Sequence, residues 1–187
     1  ALPFFMFAGN IMNYGGVTTR IYNFANACVG QNRGGLAHVN VFASIIFAGM
    51  SGAAVADAGG LGAIEIRAMK ERGYGEQVTV GVTAASSLIG PIIPPSVPMV
   101  VYAVMSGEST GRLFMGGLVP GLLMGITTMI YIYYVSVQKK YPRIEFSLGK
   151  IFSSFIQAFL PLMTPVIMIG GILLGLFSIL LSLNVVT

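Results

Sequence analysis

The sequence predicts an all-α integral membrane protein in which transmembrane helices accompany a re-entrant helical hairpin and a broken helix. Three observations point there. Hydrophobic residues make up 55% of the 187 positions and charged residues 9%, against about 25% charge in a soluble domain, so the chain cannot cover a water-facing surface. An apolar run, 35–66, is interrupted in its middle by glycines. A second apolar segment, 78–106, carries Pro91, Pro94, Pro95 and Pro98 near its centre. The mean hydropathy of +0.84 excludes intrinsic disorder, a collagen-like repeat, a coiled coil and a cytosolic enzyme.

The elements follow in order. Residues 1–34 are the end of a transmembrane helix (1–15) and a segment in which Val17, Ile21, Phe24 and Cys28 recur at helical spacing among polar residues. Two readings of that segment stand: an amphipathic helix lying in the membrane interface, or an ordinary polar-faced loop helix. The run 35–66 is 32 residues long. As one helix it would extend roughly 48 Å at 1.5 Å per residue, against a hydrocarbon core of about 30 Å. Gly49-Met50-Ser51-Gly52 and Gly59-Gly60 interrupt it, so 35–69 is predicted to be a hairpin of two half-length helices joined by a tip.

Loop charges test that choice. A hairpin puts Arg20, Arg33, Arg67, Lys70, Arg72, Lys139, Lys140, Arg143 and Lys150 on one side and Arg112 opposite, a nine-to-one split. A full crossing moves Arg20 and Arg33 over to join Arg112, giving seven to three. The positive-inside rule favours a hairpin entering from the cytoplasm.

Residues 78–106 are predicted to be a broken transmembrane helix, because the stretch from Gly90 to Pro98 lacks N–H groups that an interior turn needs and Pro94-Pro95 extends the backbone before it. Unwound backbone at membrane depth is tolerated where it is buried in protein or lines a cavity, and broken helices line binding sites in transporters. Residues 113–137 and 151–181 are predicted transmembrane helices, the second kinked at Pro161 and Pro165. Small residues at Gly117–Gly121 and Gly171–Gly175 predict close helix packing.

The net charge of +4 predicts no nucleic-acid partner, since the basic residues sit in short loops. A single cysteine, Cys28, and a single histidine, His38, exclude a disulfide framework and a structural zinc site. No metalloprotease, phosphate-binding or serine-nucleophile motif occurs, so no enzyme is expected. Of the acidic residues, Glu65 is placed near the base of the hairpin, Glu71, Glu76, Glu108 and Glu145 in loops, and Asp57 inside an apolar segment. A carboxylate at that depth needs a partner or a role: it organises an ion or the hairpin tip, or it accepts backbone N–H bonds there. At Gly49–Gly52 the first half-helix leaves carbonyls for a hard cation, and the second offers N–H groups to a carboxylate. Ser51 either caps the second half-helix or turns its hydroxyl to an ion. Ser86 and Ser87, with Thr83, either offer hydroxyls beside the loosened carbonyls near Gly90 or bond to their own backbone. Oxygen ligands alone suit a hard cation such as sodium.

The strings LPFFMFAGNIM, RGGLAHVNVFAS, GMSGAAVADAGGLG, AASSLIGPIIPPSVPMVVY and LFMGGLVPGLL closely resemble the large membrane subunit of the tripartite ATP-independent periplasmic (TRAP) transporters. The resemblance covers most of the chain. It implies an elevator-type secondary transporter of two inverted repeats in a bacterial inner membrane, each repeat with a re-entrant hairpin and a broken helix. Such a transporter takes up organic acids, often C4-dicarboxylates or sialic acids, with a sodium gradient. A periplasmic binding protein and a small membrane subunit are the implied partners. By resemblance, a sodium site involves Ser51, Asp57, Ser86, Ser87 and Gly90, and the substrate lies by Ser51, Gly52, Pro94, Pro95 and Ser96. The family's large subunit is over twice this length, so the chain is expected to be one repeat of a longer protein. After GGILLGLF the family continues with a TPTEA-like stretch where this chain has SILLSLNVVT. The competing expectation, from another functional class, is a channel subunit, since half-helices also build selectivity filters. A third is a scaffold fragment that does not itself transport.

Overall fold

The computed structural model describes residues 15–139, 141 and 148–173, and among them helices are the one kind of regular element. The first predicted transmembrane helix end, residues 1–14, and the tail from 174 onward lie outside the described residues.

Helix α1 is Val17–Val29. It buries Thr18, Ile21 and Ala25, and it packs on α2 (Gly35–Ser51) and on α8 (Leu148–Leu173). Phe24 meets Phe155 of α8 with ring centroids 5.9 Å apart. Thr18, Ile21 and Ala25 are thereby covered by protein, and Val17, Phe24 and Cys28 are half-buried. At the α1–α2 turn, Gly34 has φ +71° and a Cβ there would overlap the Ser136 side chain, so the turn closes on the far end of α7 (Thr110–Lys139).

The second helix, α2, is the centre of the molecule. Helices α1 and α8 lie on one side, and α5 (Glu76–Ser87) and α7 lie on another. Val39, Ala43, Phe47 and Met50 pack with Ile21, Ala25 and Leu61, whereas Leu36, Val41 and Ala48 pack with Met69, Val82, Ile89 and Ile132. A helix that is apolar all round has no solvent face to offer and is buried. Each fully buried Val, Leu, Ile or Phe there contributes about 1.5–3 kcal/mol. His38 is a core histidine whose Nδ1 lies 3.2 Å from Gly34 O, one turn back.

After α2 the chain breaks at Gly52 and Ala53, then returns as α3 (Ala54–Ala56), a π-helical turn (Asp57–Leu61) and α4 (Gly62–Glu71). The returning arm packs against α2. Lys70 Nζ donates to Glu76 Oε1 at 2.7 Å across the next turn and holds that carboxyl below its ordinary pKa; both groups are exposed, so the pair adds little stability. Tyr74 stacks on Tyr141, with centroids 4.2 Å apart and planes 17° from parallel.

Helix α5 ends at Ser87 and α6 (Val97–Ser106) starts after nine intervening residues. Between them lie two tight turns, closed by Ile89 N–H to Ser86 O and Ile93 N–H to Ile89 O, and then a cis Pro94-Pro95 bond. Helix α7 runs 30 residues, long and apolar enough to cross a bilayer, and exposes Val119, Leu122, Leu123, Ile126 and Ile130 on its outer side. Its inner side is a groove of glycines. A Cβ at Gly121 would lie 2.5 Å from Ile93 Cγ1, and one at Gly125 would lie 2.6 Å from Ile45 Cδ1. The glycines thus let the broken segment and α2 settle directly on the α7 backbone, which is the close packing that small residues permit. Helix α8 continues through Pro161 and Pro165 as one element.

Candidate functional site

The tip of the hairpin is built around Gly52. Its N–H donates to Ala48 O at 3.2 Å, finishing α2, and its φ of +59° turns the chain into the left-handed region that glycine adopts without a Cβ penalty. Its carbonyl then accepts the N–H of Val97 at 3.1 Å. A Cβ at Gly52 would overlap Pro95 O, and one at Gly90 would lie 3.5 Å from the carbonyl carbon of Ala53. Tip and break are therefore in direct backbone contact. Two places where helical hydrogen bonding is interrupted face one another inside the protein.

The residues singled out in the sequence are spread along these elements: Ser51, Gly52, Pro94, Pro95 and Ser96 lie at the contact, whereas Asp57 lies beside Ser44 and Ser86 beside Asn40, about two and three turns of α2 before Ser51. Ser51 is the last residue of α2 and is buried, and its hydroxyl has no partner among the described residues. It does not cap the returning arm, whose N-cap position is Ala53 with no side-chain bond. Asp57 opens the π-helical turn, with 2% of its surface exposed. Its Oδ1 has no hydrogen bond, so the reading of Asp57 as a carboxylate tied to the tip by backbone N–H groups is not realised at that oxygen. Ser44 lies beside it across the arms, its hydroxyl also without a closed hydrogen bond. Buried oxygens that close no hydrogen bond, at Ser44, Ser51 and Asp57, are candidate ligands for a hard cation.

The serines of the broken helix are differently placed. Ser87 Oγ donates to Ala84 O at 3.0 Å, the self-bonding alternative. Ser86 Oγ lies 2.6 Å from Asn40 Oδ1 and 3.1 Å from Thr83 O. Each hydroxyl thus directs its hydrogen to a protein acceptor and keeps lone pairs for a ligand. Ser96 is the N-cap of α6: its hydroxyl donates to Pro91 O and accepts from Met99 N–H at 3.3 Å. Gly90 N–H donates to Ser87 O at 3.2 Å. Pro94 and Pro95 are buried beside the tip.

Glu65 and Asn40 are buried polar residues to which the sequence reading gave no role. Glu65 is 1% exposed on α4, and neither carboxylate oxygen has a partner among the described residues. The reason is helical phase. Asp57, Leu61, Glu65 and Met69 recur every four residues, and all four are buried, so the stripe that carries Asp57 inward carries Glu65 with it. Asn40, fully buried within α2, bonds across to α5. A lone amide in an otherwise apolar run was its only sequence signal.

An unpartnered buried acid costs more than an apolar group of similar shape. Glu65→Leu is therefore expected to raise the unfolding midpoint by several degrees, which thermal unfolding in detergent checks.

Comparison with known proteins places the chain. A family model described as "Tripartite ATP-independent periplasmic transporter, DctM component" matches residues 1–182. The large permease protein SiaM of a sialic acid TRAP transporter from Vibrio cholerae is 49% identical over 95% of this chain. The sialic acid TRAP transporter permease protein SiaT of Haemophilus influenzae is 46% identical over the same share. The C4-dicarboxylate TRAP transporter large permease protein DctM of Pseudomonas aeruginosa is 42% identical, again over 95%. The chain spans 42%, 29% and 42% of the lengths of these three relatives, respectively. It belongs to the family of tripartite ATP-independent periplasmic transporters, as part of their large permease component.

Proposed function

We propose that this chain is one inverted repeat of an elevator-type, sodium-coupled importer of organic acids in a bacterial inner membrane, working with a small membrane subunit and a periplasmic substrate-binding protein. The observation that carries this reading is the seating of the hairpin tip on the broken helix through Val97 N–H and Gly52 O. Length supports a hairpin that enters and leaves on one side. At 17 residues, α2 extends only about 26 Å at 1.5 Å per residue, short of a hydrocarbon core of about 30 Å. The names of the relatives supply the substrate class: sialic acid, C4-dicarboxylate, 2,3-diketo-L-gulonate and isethionate all carry an acid group.

The residues fit such a task. Ser51 and Asp57 offer buried oxygens without a hydrogen bond, and we assign Ser86, Ser87 and the backbone at Gly90 as the further ligands of an oxygen-only sodium site. Bound sodium supplies the positive charge beside which an acid carboxylate can leave water. Ser51 and Gly52 then hold that carboxylate at the tip, with Pro94, Pro95 and Ser96 as the opposing wall. Because Ser51 serves both ligands, the two bind cooperatively, each raising the affinity for the other by the same factor.

The test is uptake of labelled organic acids into proteoliposomes holding the complete gene product with its small subunit and binding protein. Uptake is expected to saturate and to require both an inward sodium gradient and the binding protein. Ser51→Ala is expected to raise half-saturating sodium and half-saturating substrate together, each about tenfold, or roughly 1.4 kcal/mol. A substrate effect with unchanged sodium dependence would remove Ser51 from the cation site. Non-saturating flux that ignores sodium and the binding protein would mean a channel.

A further inference from the structure

Ser86 belongs to a buried polar network that extends beyond the proposed ion site. Asn40 Nδ2 donates to Thr83 Oγ1 at 2.7 Å, and Ser86 Oγ donates to Asn40 Oδ1 at 2.6 Å. Thr83 Oγ1 in turn donates to Thr79 O at 2.9 Å. The shorter bonds run in one direction, from Ser86 to Asn40 to Thr83 to the α5 backbone, with Thr83 O at 3.1 Å as a second, longer acceptor for Ser86. That order fixes the amide: Thr83 spends its hydrogen on Thr79, so it must accept from Asn40 Nδ2, which turns Oδ1 to Ser86. Hydrogen bonds aligned in this way in a dry interior strengthen one another.

The network also bridges three elements. Asn40 stands in the first hairpin arm and Thr83 in α5. A Cβ at Gly62, in the second arm, would lie 2.7 Å from the Thr83 methyl. Thr83 thus meets the first arm with its hydroxyl and the second with its methyl. It does so one turn before α5 ends at Ser87.

We propose that Asn40 is a positioning residue for the site between tip and break, acting through Thr83 and Ser86. The inference rests on the sodium-coupled reading given above. A hydroxyl ligates a cation through its lone pairs, so its hydrogen must be held elsewhere, and Asn40 Oδ1 takes the hydrogen of Ser86. The same amide ties the last turn of α5 to the first hairpin arm, about three turns of α2 before the tip, and so sets where α5 ends and the break begins. Asn40 itself touches neither ion nor substrate.

The experiment is a double-mutant cycle in the complete transporter, with half-saturating sodium and half-saturating substrate measured in proteoliposomes beside thermal unfolding. Asn40→Ala and Thr83→Val are each expected to raise half-saturating sodium about tenfold. The double variant should be no worse than either alone, since both break one relay. Thr83→Ser, which keeps the hydroxyl, should recover sodium dependence to within about twofold. Thr83→Val is close in shape to the native residue and serves if Asn40→Ala does not fold. Lowered thermal stability with half-saturating sodium within twofold of wild type would overturn the proposal and leave Asn40 a packing residue. Effects that multiply in the double variant would also overturn it, by showing that the two residues act independently. If wild-type uptake ignores sodium, the coupling reading falls, and the relay is judged by the same cycle on half-saturating substrate.

Discussion

Gly52→Val is expected to bring uptake by the complete transporter to background and to lower its unfolding midpoint. Three effects act at one position. The backbone there has φ +59°, a conformation costing about 1–2 kcal/mol for a residue with a Cβ and more for a β-branched one. The Cβ would overlap Pro95 O and lie 3.2 Å from Val97 N, both backbone atoms that cannot turn aside. Separation of tip and break then loses the bond from Val97 N–H to Gly52 O, about 0.5–1.5 kcal/mol, and leaves two buried polar groups unpaired. The summed loss is a large fraction of what holds a domain together. Gly116→Ala is the matched control, because a Cβ there meets nothing within 4 Å and α7 gains a better helix former. Uptake and detergent melts of the two variants side by side check the contrast. Native uptake in Gly52→Val would show that the tip does not depend on its seat against Pro95.

Much of the architecture was legible because membrane depth makes violations visible. A run too long for one span with glycines at its centre, and a run with prolines where N–H groups are required, each have few solutions in a bilayer. Gly52 and the stretch from Gly90 to Pro95 announced themselves as breaks for that reason. The contact between them did not, since no local pattern specifies that Val97 N–H finds Gly52 O. The hydroxyls divided along the same line. Thr83, Ser86 and Ser87 were visible as polar groups beside the break, but whether each serves its own backbone or a neighbour depends on what packs against α5. Asn40 lies 43 residues from Thr83 and 46 from Ser86, a pairing that only the folded chain creates. Glu65 is a different case. Its four-residue spacing from Leu61 and Met69 was present in the sequence, and position along the hairpin was read in place of face.

That buried stripe bears two acids, Asp57 and Glu65, and they are expected to behave oppositely when neutralised. Asp57→Asn keeps the size and shape of the side chain and removes its charge. Asp57 lies one turn past the tip with Oδ1 unpartnered, where a carboxylate costs a few kcal/mol at membrane depth on insertion scales. Removing the charge should therefore leave the fold intact or slightly stabilise it, while half-saturating sodium rises about a hundredfold, or roughly 2.7 kcal/mol. Glu65→Leu, two turns further along, changes stability and not sodium dependence. The contrast separates cost from use: burial is nearly equal at the two positions, at 2% and 1% exposed, so burial alone predicts the same behaviour for both. Sodium-dependence curves and melts for the two variants decide it. If Asp57→Asn keeps the wild-type sodium curve, the carboxylate is a structural part of the π-helical turn, and the cation must be held by Ser51 and the backbone around the break.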